Sequence, residues 1–462
     1  MIQEKKEKTI IMTKGNPYKL ILKFALPLML GNIFQQMYTL VDTMVVGKGI
    51  GVDALAAVGA SDWLNWMSLG ILAGLAQGFS IPMAQEFGAG HKEKLRKTIG
   101  NAISLSAVCA VVLLVVFQLI TKPILLLLQT PAEILPVAMR YIRIFFAGIP
   151  ITMTYNVLAA TLRAMGDGKT PLYAMIAASI TNIVLDVLFV MVLPFGVAGA
   201  AVATLIAQVV AAVYCYVALS RTGGLKLKKE DFSLEADRTG RLLKLSLPLA
   251  FQNAIIAVGG MIVQFVVNGF GVLFIAGYTA TNKLYGLLEM AAVSFGYAIS
   301  TYVGQNVGAG EYKRLRSGHI AALVVSLATS AVITAVMLIF GKLFIDLFLS
   351  GTPEEIEAAG AVAWRYLLFM SLALPALYLL YVYRSALQGM GNTLLPMLSG
   401  ILEFFLRTGM VLGLTSLVGG DGIFWAEISA WIGAAVMLGI GYYVLERKIT
   451  GNTVKNRNAG EA

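Results

Sequence analysis

Runs of twenty or more apolar residues recur along nearly the whole of this 462-residue chain. Each is long enough to cross a hydrocarbon layer about 30 Å thick as a helix. Only 13% of the residues are charged and 58% are hydrophobic, against about 25% charged in a typical soluble chain, so a set of soluble domains is excluded. The runs are continuously apolar rather than alternating, which excludes a membrane β-barrel. Twelve spans can be placed, at 18–47, 53–86, 94–122, 133–163, 169–193, 197–221, 240–269, 273–305, 313–345, 354–388, 393–418 and 422–446. Several exceed the ~20 residues a span needs, so tilt is expected. Pro27, Pro150, Pro248 and Pro375 mark expected kinks or breaks. The expected fold class is an all-α polytopic membrane protein.

The net charge of +10 would suggest nucleic acid as a partner in a soluble protein. Here the basic residues sit in alternate loops, among them Lys92, Lys94, Arg96, Lys97, Lys226, Lys228, Lys229, Lys313, Arg314, Arg316, Arg447 and Lys448, while the opposite loops offer Lys48, Lys122 and Lys342. The positive-inside rule therefore makes both termini cytoplasmic, with the lipid bilayer as the partner and no nucleic acid. The tail 1–17 has a charged start and no cleavable apolar region, so it reads as cytosolic rather than as a signal peptide. The stretch 222–239 (after Arg221) reads as a charged cytosolic linker, and 447–462 as a polar cytosolic tail. Cys109 and Cys215 lie in apolar runs and imply neither a disulfide nor a metal site.

A repeat divides the spans. Lys23–Leu28 (KFALPL) is echoed by Lys244–Leu249 (KLSLPL), and Gln85-x-x-Gly88-Ala89-Gly90 by Gln305-x-x-Gly308-Ala309-Gly310. Thr130-Pro131-x-Glu133 returns as Thr352-Pro353-x-Glu355, each reading as a helix start with Thr as N-cap and Pro as first helical residue. Arg140-Tyr141, Pro150 and Met165-Gly166 match Arg365-Tyr366, Pro375 and Met390-Gly391, all at offsets of 220 to 225 residues. Each half, 18–221 and 240–446, thus holds six spans. An even number returns the chain to its starting side, so the two six-helix bundles are pseudo-symmetric and parallel, an architecture of transporters with a central cavity.

Polar residues inside the spans carry the functional reading, because ionisable groups there are expensive. Asn182 and Asp186 are four apart and share a helix face, and beyond a break at Pro194-Phe195-Gly196 come Ala200 and Thr204, also four apart. Asp42 lies near the outer end of the first span. At ~1.5 Å per residue, Asp42, Asp186 and Thr204 all fall ~9–11 Å below the outer surface, with Asn182 one turn deeper. Two carboxylates, an amide and a hydroxyl at one depth suit a hard cation such as Na⁺, or two close acids could share a proton. The plainer alternative is that each acid bonds a neighbouring helix. In the second half the related positions hold Gln264 or Val263, Arg407, Val411 and Glu427. Arg407 is expected to pair with Glu403, one turn away, and with Glu427, as a structural counterpart.

Glu289 lies near the middle of the eighth span, where transporters commonly place substrate. With Tyr285 and Phe295 beside it, and Met37, Tyr38 and Trp66 from the first half, it is the candidate site for an organic cation. The alternative for the aromatic residues is ordinary helix packing. Lys283 is not on the face of Glu289. His91 and His319 read as rim residues of helices without metal-ligand spacing. No nucleotide loop, catalytic triad or zinc motif occurs, so an enzyme is not expected.

Several of these residues together resemble the MATE (multidrug and toxic compound extrusion) family over essentially the whole chain. They are Pro27 with Asp42 and Val46-Gly47, the paired Gln-x-x-Gly-Ala-Gly turns, Arg163-Ala164-Met165-Gly166-Asp167-Gly168-Lys169-Thr170-Pro171, and Asn182-x-x-x-Asp186 followed by Gly199-Ala200-Ala201-x-Ala203-Thr204. The chain looks like the bacterial branch of multidrug exporters and DNA-damage-inducible relatives. The resemblance implies a V-shaped twelve-helix antiporter of the bacterial inner membrane, monomeric and without a cofactor. Such a protein exports amphipathic organic cations in exchange for Na⁺ or H⁺. The residues matching Asp42, Asn182, Asp186 and Thr204 line a cation site in the family's N-terminal bundle. Alternatives are a flippase for a lipid-linked precursor, which would favour a basic cavity, and a membrane scaffold, which would not need paired acids.

Overall fold

The computed structural model describes residues 9–128, 130–193, 195–222, 226–349 and 351–460. Pro194, part of the expected break after the fifth span, lies outside them. The first repeat forms α1 (Pro17–Gly49), α2 (Val52–Gly88), α3 (Lys92–Leu127), α4 (Leu135–Ala147), α5 (Ile149–Ala164), α6 (Lys169–Asp186), a π-helical turn (Val187–Val192) and α7 (Val197–Ser220). A short 3₁₀ turn (Lys229–Phe232) precedes α8 (Ala236–Asn268), α9 (Val272–Gly308), α10 (Lys313–Asp346), α11 (Pro353–Gly389), α12 (Leu394–Val418) and α13 (Asp421–Gly460). Among the described residues there is no strand. That is the outcome expected where a lipid-embedded backbone must satisfy its own hydrogen bonds. Among the described residues ten helices are long and apolar enough to span a membrane, and the pair α4–α5, bent by 46°, makes an eleventh span if taken as one. The twelfth rod, α9, is equally long but carries Lys283 and Glu289 midway. The twelve rods coincide with the twelve sequence spans to within a few residues at most ends; α13 runs further, through Gly460.

The repeat extends to backbone angles. Gly90 and Gly310 both have φ 73°, Gly166 and Gly391 both 85°, and Gly196 and Gly419 62° and 63°. A left-handed residue at each helix end lets the next rod reverse, and glycine adopts it without a Cβ penalty.

Departures from the repeat are local and have causes. Pro375 stays inside a continuous α11, whereas its counterpart Pro150 follows a break. The difference is Gly148, where the second half has Ala373: a Cβ on Gly148 would fall 1.9 Å from Leu205 of α7. The bend lets α7 approach. Thr352 caps α11 with a full capping box to Glu355, as expected. At the matching Thr130 the chain instead makes a turn and α4 begins at Leu135.

By packing, the chain divides into two compact units, Met1–Ile11 with Leu26–Ala250, and Met12–Ala25 with Phe251–Ala462. The divisions inside α1 and α8 fall within two residues of the paired prolines Pro27 and Pro248. The repeated glutamines serve the same purpose in each unit. Gln85 Oε1 accepts from Arg241 at 2.7 Å, and Gln305 Oε1 accepts from the Met12 amide at 2.9 Å. Arg241 lies shortly before the chain leaves the first unit, and Met12 where it enters the second.

Without a hydrophobic drive between helices in lipid, small residues and close packing hold them together. In the first unit a Cβ on Gly78 would meet the Ser246 backbone at 2.2 Å, so α2 and α8 touch backbone to backbone. The second unit relies more on rings. Tyr366 stacks on Tyr278 and Phe424 at 4.9 and 4.7 Å. His319, in the second turn of α10, is buried and stacks on Tyr442 at 3.8 Å. Cys109 and Cys215 are free.

Candidate cation site

Four predicted residues of the first unit come together on α1, α6 and α7. Asn182 and Asp186 are fully buried, and Asp42 and Thr204 nearly so. Asp186 is the last residue of α6, and the π-helical turn starts at the next position. A π turn is wider than an α turn and often marks a functional position. The neighbours leave room for it: a Cβ on Gly49 of α1 would lie 2.8 Å from Val190, and one on Gly199 of α7 would lie 3.0 Å from Phe189. The equivalent α12 is regular throughout.

Hydrogen bonding in the cluster is one-sided. Asn182 Nδ2 donates to Thr204 Oγ1 at 3.4 Å, and Thr204 Oγ1 donates to the Ala200 carbonyl at 3.2 Å. That uses the Thr204 hydroxyl proton and one N–H of Asn182, with the Ala200 carbonyl as a scaffold for Thr204. Asn182 Oδ1, Asp42 Oδ1 and both oxygens of Asp186 are buried and accept nothing among the described residues. The Asp42 and Asp186 carboxyls lie within hydrogen-bonding reach of each other, but two carboxylates offer no donor between them. Leaving such oxygens dry is costly. A proton shared by the acids, or a hard cation among these oxygens, removes the cost.

Sequence reasoning missed part of this surround. Gln208, one turn beyond Thr204, is nearly buried beside Tyr38, one turn before Asp42. The i,i+4 spacing from Thr204 was the available signal. Tyr38, a candidate for the substrate wall, thus sits among the cation-site residues. Asp62, exposed on α2, lies within electrostatic range of Asp42.

The second unit holds two buried ion pairs in place of the acid cluster. Arg407 pairs with Glu427 at 2.9 Å, both largely buried. Glu403 does not pair with Arg407 as expected; its partner is Arg384 of α11, which also donates to Ser399 Oγ at 3.2 Å. Arg384 escaped notice because the first half has Ala159 at that position. Val411 and Val263 are buried, and Gln264 Nε2 donates to Asn268 at 2.8 Å.

Around Glu289, the Tyr381 hydroxyl donates to Oε1 at 2.7 Å, and Tyr285 stacks on Trp431 at 5.5 Å. Tyr381 and Trp431 were not anticipated. Phe295 is buried against Tyr378, whereas Met37 and Trp66 of the first unit are exposed.

Two parallel repeats of long apolar helices, one with a buried oxygen cluster and the other with two buried ion pairs, have the architecture of a membrane transporter. The chain belongs to the MatE family, whose model matches residues 27–188 and 248–413. Among relatives, it is 30% identical over 436 residues to the probable multidrug resistance protein YpnP of Bacillus subtilis, covering 93% of this chain and 92% of that one. It is 29% identical over 390 residues to the probable multidrug resistance protein YoeA of the same organism, covering 80% and 82%. A solved MOP-superfamily transporter from Pyrococcus furiosus has the same fold, with a TM-score of 0.89 at 22% identity, covering 96% and 100%.

Proposed function

We propose that this protein is a cation-coupled exporter of amphipathic organic cations, driven through Asp42 and Asp186. The observation that carries the reading is the set of buried oxygens on Asp42, Asn182 and Asp186 that accept no hydrogen bond among the described residues. A proton is the favoured coupling ion, because the two acids already lie within bonding reach and one proton turns their repulsion into a bond. Sodium is the second reading, favoured by Asn182 Oδ1 and Thr204 Oγ1 beside the same carboxylates. Loading from outside draws α1 toward α6, with Pro27, beside the point where α1 passes between packing units, as the pivot.

Glu289 is the proposed anchor for the cationic group of the substrate. Tyr381 orients it, and Tyr285 and Trp431 supply ring faces for cation–π contact. The protein works as a monomer in the bacterial cytoplasmic membrane with both termini inside, six spans in 18–221 and six in 240–446. Efflux from proteoliposomes under separately imposed proton and sodium gradients tests the scheme. Drive by neither gradient would reject coupling through this site.

A further inference from the structure

Residues 228–233, in the segment joining the repeats, are docked on α3. Lys228 N donates to Asp231 Oδ2 at 2.6 Å, and the buried Asp231 carboxylate meets Arg96 of α3 at 2.9 Å. Ser104 Oγ donates to the Phe232 carbonyl at 2.7 Å, and Asn101 Nδ2 to the Ser233 carbonyl at 3.1 Å. A Cβ on Gly100 would fall 2.3 Å from the Asp231 carbonyl oxygen, so the backbone lies directly on α3.

The repeat shows what this docking replaces. At an offset of 220 residues, which aligns Leu95-Arg96 with Leu315-Arg316, Gly100, Asn101 and Ser104 become Ile320, Ala321 and Val324. Ile320 and Val324 are 45% and 51% exposed, an apolar surface suited to lipid. On α3 the linker stands in that place and presents Phe232 and Leu234, 39% and 51% exposed. Ser104 is one turn, ~6 Å, from the start of the exposed stripe Val108, Val111 and Val115 on the same helix face. Phe232 and Leu234 therefore fall at the bilayer edge. Beside them Lys226, Lys228 and Lys229 are exposed and enter no salt bridge among the described residues. The nearby acids Glu93, Asp231 and Glu235 are taken by Lys97, Arg96 and Arg238; Glu230 is exposed.

We propose that the inter-repeat linker is a membrane-surface strap, with Phe232 and Leu234 seated in the interfacial layer and Lys226, Lys228 and Lys229 holding anionic phospholipid head groups. Exposed Phe and Leu beside lysines suit the boundary between head groups and acyl chains, and clustered lysines add electrostatic attraction to anionic lipid. The strap makes the α7–α8 connection sensitive to the charge of the leaflet it lies on.

Two measurements test this on the full chain. Nitroxide labels are placed singly at 230, 232 and 234 in a Cys109→Ala/Cys215→Ala background, in nanodiscs of phosphatidylcholine with or without phosphatidylglycerol. Labels at 232 and 234 should collide more with oxygen than with a water-soluble nickel chelate, and the label at 230 should do the reverse. Retention of phosphatidylglycerol by the otherwise unaltered protein in native mass spectrometry should fall roughly fivefold per lysine removed in Lys226→Gln, Lys228→Gln and Lys229→Gln. Nickel access at 232 and 234 equal to that at 230, or unchanged lipid retention in the triple variant, would overturn the proposal.

Discussion

The charge pairs of the second unit give the most quantitative prediction. Arg407 and Glu427 are each largely buried and lie 2.9 Å apart, so Arg407→Met leaves a carboxylate without a counter-ion. Removing one partner of a buried pair costs about 3–5 kcal/mol, whereas replacing both by apolar side chains of similar size is often neutral or stabilising. Arg407→Met should therefore sharply lower the thermal stability of the detergent-purified protein, and Arg407→Met/Glu427→Leu should recover most of it. The same molecule supplies a control. Arg365 pairs with Asp421, but its side chain is 61% exposed, and breaking such a pair costs about 0–1 kcal/mol. The assay is loss of monodisperse protein on heating, followed by size-exclusion fluorescence for the unaltered protein, the single and double variants and Arg365→Met. An Arg407→Met variant with unchanged stability but no transport would refute the structural role and make Arg407 part of the transport machinery.

Other expectations follow from individual contacts. Gly78→Leu drives a side chain into the Ser246 backbone, 2.2 Å from the nearest Cβ position; overpacking of this kind costs about 1–3 kcal/mol and should show as reduced thermal stability. Glu355→Ala should cost about 1 kcal/mol by opening the capping box of α11, while Glu133→Ala should be nearly silent because α4 begins after it. Both are read from the same melting series. Glu289→Gln should weaken binding of a fluorescent lipophilic cation about tenfold, as loss of one charge interaction of ~1.4 kcal/mol would, measured by anisotropy on purified protein; unchanged affinity would remove Glu289 from the substrate site.

Much of the fold was legible because a membrane limits the choices to helices, and long apolar runs mark them directly. The repeat was equally open, since Gln85 and Gln305 or Met165-Gly166 and Met390-Gly391 hold matching turns. What the pattern could not convey was how each half departs from the other. Pro150 and Pro375 are the same residue in the same register, but beside them Gly148, close against Leu205, stands where the second half has Ala373. Thr130 and Thr352 carry the same cap signal, yet the first is spent in a turn. The π-helical turn after Asp186 has no one-dimensional signature; it depends on Gly49 and Gly199 from other helices. Pairing inside the second unit was misread for a related reason. Glu403 is one turn from Arg407 in sequence, but Arg384, distant along the chain, reaches it across α11 and α12.

The central claim is that the buried oxygens of Asp42 and Asp186 take up the ion that drives transport. Its most direct test is efflux of a fluorescent organic cation from proteoliposomes under an imposed proton or sodium gradient, comparing the unaltered protein with Asp42→Asn and Asp186→Asn. An amide at either position supplies its own donor and has no charge to titrate. Both variants should keep substrate binding and gradient-free exchange while losing gradient-driven accumulation. Gradient-driven transport at the unaltered rate in either variant would contradict the claim.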